Sequence, residues 1–247
     1  IILTVERLTW AELGTLSATL FVASGILQTP SGFLVDKIGA RPTLIGGIFI
    51  MSLAIMGFWW ADSYPLMLLL AFIAGIGNSV FHPADFSILN GSVNPSRMGR
   101  AFSVHHFGGY FGYASAPFLM LALGTEIGWR ESVLLVGSLG LAVTILLWVN
   151  RHCLRDCGID KGIRPEQIKN EIKALVRPSF ILAFLFFAFM AMGSVGLMTL
   201  GAGALIQLID ISSNLANGAI SLQLTGTIGG VLVGGFIADR ITRHDYM

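Results

Sequence analysis

His82 and Asp85 stand three residues apart in the run Gly75-Ile76-Gly77-Asn78-Ser79-Val80-Phe81-His82-Pro83-Ala84-Asp85, and an adjacent pair, His105 and His106, follows on the next apolar run. At helical spacing, residues three apart share a face, so His82 and Asp85 point the same way. A histidine beside a carboxylate exchanges protons near neutral pH. Pro83 sharpens the interest: it lacks a backbone donor and leaves the Ser79 carbonyl without its helical partner. Helices broken in this way are tolerated inside a bilayer only where they face protein or a wet cavity. His105 and His106 project about 100° apart on a helix, so one of them is expected to join Asp85. The chemistry this set could do is a proton relay or a gate. The bland alternative is that Asp85 caps a helix or pairs with Arg97 or Arg100 at a membrane surface, the histidines bonding to backbone. No HExxH, no GxSxG and no paired catalytic aspartates accompany the set. An enzyme is therefore not expected, nor a metal or cofactor.

The elements that hold these groups follow from composition. Of the 247 residues 54% are hydrophobic and 12% charged, with a mean hydropathy of +0.77. A water-soluble domain carries about 25% charged residues, so this chain is built for lipid. Seven uncharged or nearly uncharged runs are long enough to cross a hydrocarbon core, near 11–34, 43–61, 65–90, 100–123, 132–150, 179–209 and 213–238. Lipid offers the backbone no hydrogen bonds, so the runs must be helical. The expected fold class is all-α and polytopic. Glu12, His82, Asp85, His105 and His106 are the ionisable groups placed within spans, where such groups are costly and functional by default. Counted from the span ends, Asp85 and His105 lie roughly 7–9 Å deep, and His82 and His106 roughly 10–12 Å. Small residues four apart, Gly108, Gly112 and Ala116, and again Gly226, Gly230 and Gly234, are expected to serve close helix packing.

Lysine and arginine set the orientation. Thirteen of the 15 fall in alternate loops within Asp36 to Arg41, Asn94 to Arg100, Arg151 to Arg177 and Asp239 to Arg243; Arg7 and Arg130 lie opposite. That bias puts the first set in the cytoplasm, and the net charge of +1 gives no reason to expect nucleic acid. The longest polar stretch, 151–178, is expected to be a cytoplasmic linker between bundles at 1–150 and 179–247. In it, Ile168, Ile172 and Leu175 recur at helical spacing after Pro165, with Glu166, Lys169 and Lys173 facing away, as in a helix lying on the inner leaflet. Cys153 and Cys157 are read as incidental reduced thiols, too widely spaced for paired zinc ligands. The chain begins at Ile1 and shows no signal-peptide pattern.

An internal echo carries the most specific signal. After the first span the chain reads GFLVDKIGAR, Gly32 to Arg41; after the last it reads GFIADRITR, Gly235 to Arg243. Repeated halves are how many secondary transporters are built. The first string resembles motif A of the major facilitator superfamily, between that family's helices two and three. The second is similar to its counterpart between helices eight and nine, with Thr242 where the first copy has Gly39. Gly32 would allow close helix approach, and Asp36 would pair with Arg41 or cap a neighbouring helix N-terminus.

The resemblance implies a latch of the inward gate at Gly32, Asp36, Lys37, Gly39 and Arg41, with a second copy at Gly235, Asp239, Arg240 and Arg243. It places the spans as family helices two to eight, without helix one (apart from Ile1 to Thr4) or helices nine to twelve, and implies that these 247 residues insert but show no flux alone. Family helices four, five and eight line the central cavity, which makes Asn78, Tyr110, Tyr113 and Gln223 the expected cargo contacts. Two departures stand out: Ala71 occupies the place of a helix-four arginine found in many proton-linked members, and Gly112 and Pro117 match an antiporter pattern that Ala116, Met120 and Leu121 do not. The FHPAD run resembles bacterial members near the fosmidomycin-resistance group. The function implied is a secondary active, proton-coupled transporter of a small organic solute in the plasma (bacterial inner) membrane, monomeric at full length, its partners being solute, protons and lipid. Drug efflux and metabolite uptake stay open. A seven-helix receptor is the competing class, and the echo speaks against it.

Overall fold

The computed structural model describes residues 8–154, 177–238 and 240. Among them the secondary structure is entirely helical: α1 Trp10–Ile38, α2 Ala40–Gly57, α3 Tyr64–Asn78, α4 Phe81–Ser92, α5 Met98–Glu126, α6 Trp129–Val149, α7 Pro178–Ile209 and α8 Ser213–Ala238, with short 3-10 turns at Phe58–Trp60, Pro95–Arg97 and Arg151–Cys153. Among the described residues six spans are long and apolar enough to cross a membrane, α3 and α4 counting as the single span Tyr64–Ser92. The seventh expected span, α5, has the length at 29 residues but is not among the six. Arg100, His105, His106, Tyr110, Tyr113 and Ser115 interrupt its apolar sequence. The linker helix expected around Ile168, Ile172 and Leu175, together with Cys157, Asp239 and Arg243, lies outside the described residues.

The chain divides into two compact units, Ile1–Ile159 with Gly226–Met247, and Asp160–Thr225. In the first, two apolar clusters tie opposite ends of the bundle. Val35, Ala40, Leu44 and Ala84 pack with Ile48, Phe81 and Ile88 at the end bearing the first motif. Ala61, Met67 and Trp129 pack with Leu16, Phe58 and Leu70 at the other. There Arg130 gathers the chain, donating to the carbonyls of Trp59 (2.7 Å) and Ala61 (3.1 Å) and standing 3.5 Å from Asp62. In the second unit α7 meets α8 at Gly201, where a Cβ would lie 2.9 Å from the side chains of Ile220 and Leu197. Outward faces are apolar throughout, with Phe184, Phe187, Phe189 and Met192 of α7 each more than two-thirds exposed, a surface suited to lipid rather than water.

Close packing comes from a different set of glycines than the spacing predicts. A Cβ at Gly77 would lie 2.6 Å from the Gly47 carbonyl, one at Gly137 would lie 2.9 Å from Met56 N, and one at Gly47 would collide with Val80. At Gly32, Gly108, Gly112, Gly226, Gly230 and Gly234 a Cβ meets nothing within 4 Å. Four-residue spacing marks a stripe, and the partner helix decides whether the stripe is covered.

Candidate functional site: the α4–α5 histidine–aspartate cluster

The helix break expected from Pro83 falls where the steric argument places it. α3 ends at Asn78, Ser79 and Val80 form a turn, and α4 starts at Phe81. Ala84 N still reaches the Val80 carbonyl at 3.0 Å, so the disturbance is confined to the turn preceding the proline. α1 has its own proline at the same packing level, Pro30. The two irregular stretches are stitched together by Ser31 Oγ and Ser79 Oγ, 2.8 Å apart and buried. About two turns earlier on α1, Ser24 Oγ accepts from Asn78 Nδ2, next to Ser79, at 2.9 Å. Asn78 thus bonds α3 to α1.

Beyond the break, α4 runs antiparallel beside α5 and presents Asp85 to it. His105 Nε2 stands 3.5 Å from Asp85 Oδ2, their side chains 32% and 21% exposed, so the pair is neither sealed nor fully wet. His106 turns aside, with Nδ1 2.9 Å from the Phe102 carbonyl. Their rings remain neighbours, centroids 5.4 Å apart and nearly perpendicular. His82 is exposed and makes no ion pair with Asp85 among the described residues. Its ring stands 5.8 Å from Phe86, which packs edge-on against Phe102 at 5.1 Å. The three histidines therefore divide into one beside the carboxylate, one bonded to backbone and one at the end of an aromatic bridge. Glu12, placed within a span by its sequence position, is committed to the start of α1, where it and Thr9 cap each other through Thr9 N to Glu12 Oε2 (2.7 Å) and Glu12 N to Thr9 Oγ1 (3.2 Å).

At the first motif, Gly39 takes φ 96° between α1 and α2, a conformation that residues with a Cβ rarely adopt. This reverses the chain in one residue and explains the glycine. Asp36 and Lys37 are exposed. Among the described residues Asp36 makes no ion pair with Arg41, and no side chain caps α2. Arg41 instead crosses to the segment after α6, its Nη2 donating to the Leu154 carbonyl at 2.5 Å. The reason is directional: the turn at Gly39 sends α2 back along α6 and carries Arg41 away from the exposed last turn of α1.

At the second motif, Gly235 is the glycine in close contact. A Cβ there would collide with Ser103 and lie 2.8 Å from the Gly99 carbonyl. Ser103, buried at 5% exposure, donates to the Val231 carbonyl at 3.1 Å, and Arg100 lies 5.8 Å from the centroid of the Phe236 ring. Arg240 is exposed. Further along α5, Tyr110 is half-buried and Tyr113 is 54% exposed. Gln223 lies in the second unit, on an exposed face of α8. Sequence reading missed the Ser103–Val231 contact; a serine near a helix end carries no signal of its partner.

Helices of membrane-crossing length, a proline-broken span and an ionisable pair shared by two neighbouring helices are the marks of a polytopic transport protein. The sequence matches the Major Facilitator Superfamily over residues 7–247, and the chain belongs to that family of transporters, making it an integral multi-pass membrane protein. It is 27% identical over 241 residues to the fosmidomycin resistance protein of Escherichia coli K12, covering 96% of this chain and 58% of that one. It is 29% identical over 142 residues to the MFS-type transporter YfnC of Bacillus subtilis, covering 58% of this chain and 34% of that one. It is likewise 29% identical over 144 residues to a probable L-galactonate transporter of Escherichia coli K12, covering 57% of this chain and 32% of that one. The chain thus spans between about a third and somewhat over half the length of these relatives.

Proposed function

We propose that the protein is a secondary active transporter of a small organic solute, coupled to protons and working by alternating access. The observation that carries this reading is His105 Nε2 at 3.5 Å from Asp85 Oδ2, a proton-exchanging pair on two packed helices of a lipid-facing bundle. Asp85 is the proton acceptor, His105 its exchange partner, and His82, exposed three residues before Asp85, extends the relay deeper into the bundle, whereas His106, the remaining candidate, is held by the Phe102 carbonyl and stands outside it. Tyr110 and Tyr113 continue along the same helix and serve as cargo contacts with Asn78, and Gln223 is the cargo-contact candidate of the second unit. Gly39 is the pivot of the first gate element and Asp36, Lys37 and Arg41 its latch. Gly235, with Asp239, Arg240 and Arg243, forms the second. The lysine- and arginine-rich side is cytoplasmic, and the stretch 151–178 links two bundles there, in the plasma membrane. The full-length protein works as a monomer.

Cargo and direction divide along the names of the relatives, one a resistance protein and one a probable sugar-acid transporter. Drug efflux and metabolite uptake therefore both stand as readings. The test is the full-length protein in proteoliposomes holding an internal pH dye, challenged with fosmidomycin, L-galactonate, sugars, amino acids and other antibiotics. Proton movement triggered by one compound supports the proposal and names the cargo. Uptake of a radiolabelled member of the panel with no proton movement refutes the coupling.

A further inference from the structure

Near the end of the bundle that carries the first motif, α2 and α6 part around a groove of about 680 Å³ whose lining includes Arg41, Gly46, Phe49, Ile145, Trp148 and Arg151. The groove has two characters. Two guanidinium groups stand at its mouth, that of Arg151 lying 5.4 Å over the Trp148 ring. Below them the walls are apolar and open outward: Phe49, Ile145 and Trp148 are 46%, 62% and 57% exposed, on faces that meet lipid. From Arg41 to Phe49 the helix rises about 12 Å, so charge and apolar wall lie one above the other along the direction a lipid takes. Gly46 faces open space, with nothing within 4 Å of a Cβ built there. Arg41 is short of acceptors: it reaches the Leu154 carbonyl, while its Nε is buried with no partner. A buried donor without an acceptor is unfavourable, and a phosphate oxygen close by relieves it.

We infer that this groove binds one anionic phospholipid from the leaflet on the lysine- and arginine-rich side. Its phosphate lies between Arg41 and Arg151, and one acyl chain runs along Gly46, Phe49 and Ile145. Three features commit the site to a lipid rather than a free anion. The cations adjoin apolar walls, a tryptophan, the residue type enriched at membrane interfaces, lies beside Arg151, and the apolar walls are exposed on outward helix faces. Basic pockets between transmembrane helices hold anionic head groups for the same reasons. The inference stands apart from cargo and from the Asp85–His105 relay, none of whose residues lines the groove.

Native mass spectrometry of the purified protein, titrated separately with phosphatidylglycerol and phosphatidylcholine, reads the site. One phosphatidylglycerol should be retained in preference to phosphatidylcholine, and Arg151→Gln, at an exposed position, should weaken it about fivefold. Gly46→Phe keeps both arginines but fills the acyl path, and should abolish tight retention while helical content by circular dichroism is unchanged. Inorganic phosphate at millimolar concentration should not displace the lipid. Equal retention of the two lipids by the unaltered protein overturns the proposal. So does unaltered affinity in Arg151→Gln, and displacement by phosphate reassigns the groove to a free anion.

Discussion

Ser103 of α5 donates its hydroxyl to the Val231 carbonyl of α8 at 3.1 Å, two residues before the histidine that meets Asp85. One helix thus holds the contact with the second motif's helix and the contact with the ionisable pair. Rigid helices transmit small rotations along their length. On the proposed mechanism, a change of protonation at Asp85 that moves α5 is felt at Gly235, where the two helices have no room for a Cβ.

That tightness sets the first prediction. Gly235→Val should destabilise the protein by about 1–3 kcal/mol through overpacking, whereas Gly230→Val, facing open space, should fall within about 0.5 kcal/mol of the parent. Thermal unfolding in detergent compares them, and equal melting temperatures would remove the packing argument.

Gly39 gives the second. Its φ of 96° is strained for any side chain, so Gly39→Ala should cost about 1–3 kcal/mol. Gly32→Ala, in the same motif, meets nothing within 4 Å and should be silent in the same assay. The reverse order would mean that the motif's glycines serve approach rather than backbone reversal.

Much of this was legible in the sequence and some was not, for physical reasons that individual residues show. The helical runs could be read because lipid forces both apolar composition and internal hydrogen bonding on a span, and the break before Pro83 because proline acts on the carbonyl four residues back. Neighbouring helices also made Asp85 and His105 readable, since short loops fix which helices pair. The bond from Arg41 to Leu154 spans 113 residues of sequence and depends on the direction in which Gly39 turns the chain. No spacing rule contains it, and the expected Asp36–Arg41 pair gave way to it. The glycine stripes misled for a related reason: Gly230 and Gly77 look alike in sequence, and only the helix lying opposite distinguishes them.

The buried serine pair supplies a third prediction. Ser31→Ala and Ser79→Ala each remove one end of the 2.8 Å bond between the two proline-bearing segments. A double-mutant cycle should give a coupling of about 0.6 kcal/mol, the average for interhelical hydrogen bonds in membranes. Additivity of the two single changes would show that the hydroxyls do not hold the segments together.

The two adjacent histidines are separable by transport. His105→Gln removes the partner of Asp85, and should lower substrate-driven proton movement about tenfold or more, in line with the loss of a positioned proton-transfer group. His106→Gln removes only a bond to the Phe102 carbonyl and should leave proton movement within about twofold, the partner of Asp85 being intact. Equal losses in both variants would mean that the relay does not run through the geometry described.

Asp85→Asn tests the central claim most directly. It keeps the size and polarity of the side chain while removing its titration. In proteoliposomes of the full-length protein, once a transported compound is known, substrate flux and internal pH are followed together across an imposed pH gradient. The account predicts that the gradient no longer drives accumulation in Asp85→Asn, although downhill exchange of the same compound persists. Gradient-driven accumulation at the level of the unaltered protein would contradict it and leave the Asp85–His105 pair a structural contact alone.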